Sequence, residues 1–290
     1  MIEAPGMRIK AATIYSRECQ AQELFLPANY FEVLYQTAHW LETRCQNGIR
    51  KTMSVAGGQG SGKSTFSQLL ATLLVECFET RTLVLSLDDF YLTRAERRNL
   101  TSISPMLNTR GVPGTHDLAL CVAAVANFRG GQTMHIPEFS KPHDDRVGER
   151  TEAGATFQLL ILEGWCWGAE PEEDAEIVEP INELERVEDP DGVWRRYVNE
   201  QLKAYQPLFA TDLSLFLKVP DFDTVKRWRW QQEQGLPIGP ARMSQADVER
   251  FIMYYERITL RLLKHRPAQV DICLALDRDH AVHIEKFPTN

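Results

Sequence analysis

Nine residues, Gly57-Gly58-Gln59-Gly60-Ser61-Gly62-Lys63-Ser64-Thr65, fit the pattern G-x-x-x-x-G-K-[ST] and constrain the chain more than any other feature. A loop of this kind turns its backbone N–H groups inward around a phosphate, which only residues free of Cβ clashes permit. Lys63 then brings a point charge to the β- and γ-phosphates, and the Ser64 hydroxyl becomes a Mg²⁺ ligand. The flanks agree. Lys51 to Ala56 (KTMSVA) reads as a strand feeding the loop, and Ser64 to Phe78 (STFSQLLATLLVECF) is apolar on a helical period. A helix N-terminus therefore aims its dipole at the phosphates, and the whole segment from Gly57 to Thr65 is the expected ATP-binding loop.

The rest of the chain repeats the same alternation. Thr82 to Leu87 (TLVLSL), Phe157 to Leu162 (FQLLIL), Asp212 to Val219 (DLSLFLKV) and Val270 to Leu276 (VDICLAL) are apolar at nearly every position. Strands of a parallel sheet covered on both faces have that composition. Helical segments lie between them, including Asp117 to Phe128 with Asp117 as its cap and the amphipathic run Phe251 to Leu263. A short strand is expected at Thr133 to Ile136. The expectation is an α/β protein, a P-loop NTPase three-layer fold with a parallel sheet flanked by helices. All 290 residues form one kinase-type domain in this reading. An N-terminal helical extension covers 1–48, with Phe31, Leu34, Tyr35, Ala38 and Leu41 on one face. Residues 169–192 form an acidic, mobile insertion loop, and 221–265 form the lid and C-terminal helices.

Two acidic positions follow strands. Leu87-Asp88-Asp89-Phe90-Tyr91 puts carboxylates after Thr82 to Leu87, and the carboxyl ends of strands form the ligand crevice of such sheets. Asp88 is the candidate base for a substrate hydroxyl; helix capping is the alternative for Asp88 or Asp89. Glu163 ends Phe157 to Leu162 in the manner of a Walker B acid and joins Ser64 as the expected Mg²⁺ site. No guanine-reading N-K-x-D occurs. Small-molecule phosphoryl transfer from ATP is the expected chemistry.

Two polar loops supply candidate substrate ligands. Arg110-Gly111-Val112-Pro113-Gly114-Thr115-His116-Asp117 offers Arg110, His116 and Asp117; Pro137-Glu138-Phe139-Ser140-Lys141-Pro142-His143-Asp144-Asp145-Arg146 offers Lys141 and Arg146. With Asp89 and Tyr91 these form the substrate-binding set. Guanidinium groups grip carboxylates bidentately, so the set suits an anionic acceptor; local ion pairs such as Arg146 with Asp144 or Glu149 are the alternative. Further on, Val225 to Glu233 starts an Arg/Trp-rich helix from which Arg227 or Arg229 can close over the transferring group, with Arg229 the candidate beside Lys63 and Asp88. Trp228 and Trp230 are two apart and cannot share a face, so an exposed aromatic contact between chains is the alternative there.

The formal net charge of −8 argues against a broad nucleic-acid surface, and no apolar run reaches the length of a membrane span. Six cysteines without a C-x-x-C pair fit reduced thiols, and a cytoplasmic location is expected. The oligomeric state stays open.

Taken together, the P-loop, Leu85–Thr93 (LSLDDFYLT), Arg110–Leu118 (RGVPGTHDL), the P-x-F-x-K…DR loop, Leu162–Trp165 (LEGW) and the F-D-x-V-x-x-W-R-x-x-Q-E helix resemble the D-glycerate 3-kinase family. That family sits among the P-loop kinases with uridine kinase, phosphoribulokinase and bacterial pantothenate kinase. The resemblance implies a parallel five-stranded core, ATP with Mg²⁺, Asp88 as base, Glu163 as the Walker B acid, Arg227 or Arg229 as lid arginines, and D-glycerate as acceptor. Phe139-Ser140-Lys141 departs from the usual aromatic-Asp-Lys run. A different acceptor (nucleoside, pantothenate-like or sugar compound) is the alternative, as is a non-catalytic ATP-binding regulatory protein.

Overall fold

The computed structural model describes residues 5–46, 48–235 and 242–289. Parts of the expected extension and lid, at 1–4, 47 and 236–241, lie outside the described residues. The chain opens with α1 (Pro5–Ala21) and α2 (Tyr30–Cys45), then β1 (Lys51–Gly57), α3 (Lys63–Phe78), β2 (Thr82–Ser86), α4 (Arg94–Leu100) and α5 (Leu118–Gly130). Next come β3 (Thr133–Ser140), β4 (Asp145–Ala153), β5 (Leu159–Gly164), α6 (Glu183–Glu188) and α7 (Val193–Phe209). The C-terminal part holds β6 (Leu213–Lys218), α8 (Phe222–Gln234), α9 (Gln245–Gln269), β7 (Ile272–Leu276) and β8 (Val282–Lys286).

Six strands pair in the order β2-β5-β1-β6-β7-β8, the first five parallel and β8 antiparallel to β7. β1 is central, between β5 and β6, and β5 is buried along its whole length. That is why these runs read as uninterrupted apolar sequence. Aspartates tie strand starts together: Asp212 accepts from the Thr52 N–H at 2.8 Å and Asp271 from the Ser214 N–H at 2.8 Å. Helix α3 packs on β1, β2 and β5, with α1 and α2 stacked outside it. Leu34, Tyr35, Ala38 and Leu41 of α2 are buried there, while Phe31 is half-buried.

The five expected parallel strands are present with one addition, and two other expectations need correcting. The five parallel strands gain an antiparallel edge, β8, in which Val282 is the one buried residue. The short strand at Thr133 to Ile136 is the first half of a hairpin, β3–β4, running through what read as loop. Its turn depends on Asp144 at φ 53, and a bulge at Glu138/Phe139 adjusts the register.

Residues 169–192 are no free loop either. They contain α6 and are pinned by ion pairs to α7 and α9. Glu185, fully buried, receives Arg257 at 2.6 Å, and Arg257 also reaches Glu172 at 3.0 Å. Arg195 and Asp189, both buried, pair at 3.1 Å, and the Arg195 guanidinium donates to the carbonyls of Ile177 and Val178. Removing one member of such a pair strands the other charge in a dry place. Arg257→Leu is expected to destabilise the protein by about 3–5 kcal/mol in urea unfolding; a loss below about 1 kcal/mol, the range of exposed pairs, would mean the insertion is not clamped this way.

Candidate active site

The loop after β1 has the backbone that its glycines allow. Gly60 and Gly62 sit at φ 78 and 80, and α3 starts at Gly62 with no side-chain cap, leaving its first N–H groups open. Space is as restrictive as conformation. A Cβ on Gly57 would lie 2.8 Å from the Leu217 carbonyl oxygen, and one on Gly60 would lie 2.7 Å from the Trp228 Cβ. Trp228 is buried beneath the loop and stacks on His280 at 3.9 Å, while His280 Nε2 is 2.9 Å from the Gly60 carbonyl oxygen. Neither contact was read from sequence. Trp228 is core, which removes it from an exposed aromatic contact. The Ser61 Oγ and Gln59 Oε1 are buried without a partner among the described residues.

Lys63 Nζ donates to the Gly58 carbonyl oxygen at 3.1 Å. Burial lowers the Lys63 pKa, against the opposing pull of Glu163 and Asp88. Ser64 Oγ donates to Glu163 Oε1 at 2.9 Å, joining the two expected metal ligands across β1 and β5.

Asp88 lies in a 3₁₀ turn, Leu87–Phe90, directly after β2. Tyr91 Oη donates to Asp88 Oδ1 at 2.5 Å, and Lys141 Nζ to Oδ2 at 2.7 Å. Burial works to raise the Asp88 pKa, but Lys141 and Tyr91 prevail and hold the carboxyl below its ordinary range. Asp89 has the capping role: it accepts from the Ser86 N–H at 3.4 Å in a reciprocal capping box. Its pKa is raised, by burial first.

The seven substrate candidates divide. Tyr91 stacks on His116 (4.8 Å between centroids), and His116 Nδ1 lies 2.9 Å from the Tyr205 hydroxyl. Burial lowers the His116 pKa to about 4, so the ring is neutral at pH 7. Arg110 pairs with Asp144 and lies over Phe139, which packs edge-on against Tyr91 at 5.0 Å. Asp88, Tyr91, His116, Lys141 and Arg110 thus belong to one connected cluster of side chains, joined through Phe139. Arg146 and Asp117 belong to its frame. Arg146 donates to the Tyr91 carbonyl oxygen at 2.9 Å and to Asp117 at 3.2 Å, and Asp117 caps α5 through the Leu120 N–H.

Arg229 is committed to the buried Glu233 at 2.7 Å and lies over Phe251; Arg227 donates to the Arg278 carbonyl. Tyr255, whose hydroxyl donates to the Arg110 carbonyl oxygen at 3.0 Å, lies in the fields of Asp88, Arg110 and Arg229. Arg229 is thus linked to Arg110 through Phe251 and Tyr255, and its helix is anchored to the P-loop through Trp228.

No family model matches the chain. The Schizosaccharomyces pombe protein named uncharacterized kinase mug58 is 33% identical over 219 residues, spanning 70% of this chain and 77% of its own. The chain belongs to this family of P-loop kinases. The Saccharomyces cerevisiae protein named probable ATP-dependent kinase TDA10 is 28% identical over 74% of this chain and 78% of its own. Among solved structures, a D-glycerate 3-kinase from Cryptococcus neoformans var. grubii superposes with a TM-score of 0.73 at 24% identity, covering 88% of this chain and 99% of that one. That likeness establishes the fold of the kinase.

ATP is what the family implies as donor, and the loop suits its phosphates: left-handed glycines, open helix amides, and the buried Ser61 hydroxyl without a partner. The two glycines separate conformation from contact. In Gly62→Ala the new methyl meets open space and costs only left-handed strain, about 1–2 kcal/mol of stability. Gly60→Ala must also push Trp228 away, and is expected to weaken ATP binding by roughly tenfold or more by titration calorimetry, while Gly62→Ala stays within a few-fold. Equal losses would contradict the role of the Gly60–Trp228 contact.

Proposed function

We propose that this kinase transfers the γ-phosphoryl group of ATP to a hydroxyl of a small anionic metabolite, with D-glycerate, giving 3-phosphoglycerate, as the first acceptor to try. The supporting observation is the ion pair of Lys141 with Asp88, with Arg110 close by over Phe139 and the charge of Lys63 near Asp88. A carboxylate flanked by cations suits an acceptor that brings its own negative charge. The printed name of the Cryptococcus structure supports the choice of glycerate within that class.

In this reading the loop from Gly57 to Thr65 holds the phosphates through its N–H groups, with Lys63 on the transferring end. Ser64 and Glu163 hold Mg²⁺; two protein oxygens suffice because that ion keeps several waters and phosphate oxygens. When bound, Mg²⁺ neutralises charge that builds on the phosphate oxygens. Asp88 orients the acceptor hydroxyl and takes its proton; its lowered pKa keeps it ionised at neutral pH. Tyr91, braced by neutral His116, fixes the second carboxylate oxygen. Arg229, over Phe251, which packs on Tyr255, is the lid cation in this reading.

The test is ATP consumption with Mg²⁺ across D- and L-glycerate, pantothenate, uridine and sugar acids, the product identified by mass spectrometry and Lys63→Ala as blank. Phosphorylation of D-glycerate is expected, and Asp88→Asn should lower kcat roughly 10²- to 10⁴-fold with the KM for ATP within a few-fold. Turnover on an uncharged acceptor alone would replace the substrate class. An Asp88→Asn enzyme with intact kcat would remove Asp88 from proton transfer.

A further inference from the structure

Both oxygens of the Asp88 carboxylate are engaged by side chains of the chain itself, Tyr91 on Oδ1 at 2.5 Å and Lys141 on Oδ2 at 2.7 Å. The two partners differ in permanence. Tyr91 is buried and stacked between His116 and Phe139. Lys141 is 60% exposed and sits at the end of the β3–β4 hairpin. The hairpin tip itself is fixed. Asp144 pairs with Arg97 at 2.6 Å, and Arg97, wholly buried, also donates to the carbonyls of Leu92 and Asp144. The root of Lys141 is thus anchored while its ammonium remains on a flexible four-carbon stem in reach of solvent.

We propose that Lys141 is a specificity gate: it holds Asp88 in an unproductive ion pair and releases it when an anionic group of the acceptor takes the ammonium instead. The proposal rests on Asp88 being the base of the kinase reaction. Lys141 is the exposed member of the pair, so its ammonium can pass from one anion to another without a buried cation being left unpaired. A water molecule or an uncharged alcohol brings no charge to exchange, and with either in the cleft the Lys141–Asp88 pair persists. The consequences are two. An acceptor is selected for its charge as well as its hydroxyl, and ATP is protected from transfer to water while the cleft waits for an acceptor. Arg110, which shares Asp144 with Arg97 and lies over Phe139, is the second cation that an acceptor carboxylate can take. Asp144 keeps its buried partner if Arg110 turns away, so the hairpin stays anchored during the exchange.

The experiment compares the full-length wild type with Lys141→Met, Lys141→Arg and the double variant Asp88→Asn/Lys141→Met. Acceptor-free hydrolysis of Mg·ATP is measured first. Lys141→Met is expected to raise it several-fold, Lys141→Arg to keep it near wild type, and the double variant to abolish the rise. Transfer to D-glycerate and to glycerol, its uncharged counterpart, is measured second. Lys141→Met should raise the KM for glycerate roughly 10- to 100-fold, the worth of a lost charged hydrogen bond, and erase the preference over glycerol. Unchanged or lower acceptor-free hydrolysis in Lys141→Met would overturn the gate, as would a rise that survives in the double variant. A wild type that phosphorylates neither compound would reject glycerate as acceptor, and the hydrolysis comparison would still decide the gate.

Discussion

Backbone amides can surround a phosphate only where no side chain intervenes, and this chain meets the condition by pressing Gly60 onto Trp228 while His280 takes hold of the Gly60 carbonyl. The rest of the site is arranged around that loop. Because β1 is central, its carboxyl end lies beside that of β5, and Glu163 falls within hydrogen-bonding distance of Ser64. One strand further out, β2 delivers Asp88 to the same edge. Strand order brings these groups together: the neighbouring parallel strands β1, β5 and β2 end at the glycine loop, Glu163 and the Asp88 turn. Helix α8 joins the system through Trp228, which packs against Gly60 of the loop.

Charge around Asp88 is held in two kinds of pair. Arg97 with Asp144 and Arg146 with Asp117 are substantially buried and build the frame. Lys141 with Asp88 reaches solvent. Pairs of the first kind are costly to break, and pairs of the second kind exchange freely. An anionic ligand therefore has only the accessible cations to win, and the hairpin that carries Lys141 does not have to unfold to offer it.

The loop and its neighbours were readable in the sequence because their signals are local: a glycine loop within nine residues, apolar strands, and an acid at the end of two of them. Asp88 and Glu163 stood out on that basis, and the structure puts Glu163 on Ser64 and Asp88 in the turn after β2. The acceptor half was harder. Arg110, Lys141 and Arg146 all qualified as cations in polar loops, and only three-dimensional pairing separates the accessible ones from Arg146, which is tied to Tyr91 and Asp117. The β3–β4 hairpin was hidden because β4 is exposed or half-exposed along its length and shows no apolar alternation. The insertion at 169–192 looked unanchored because Arg257 lies 85 residues from Glu172. His280, 220 residues from Gly60, had no signal at all in a single sequence.

The measurement that bears most directly on this account is a crystal structure of the kinase with Mg²⁺, a non-hydrolysable ATP analogue and D-glycerate. The account predicts the glycerate hydroxyl on the Asp88 carboxylate, facing the γ-phosphate held at Lys63, with Lys141 on the acceptor's carboxylate. Glycerate bound elsewhere, with Lys141 still on Asp88, would contradict it.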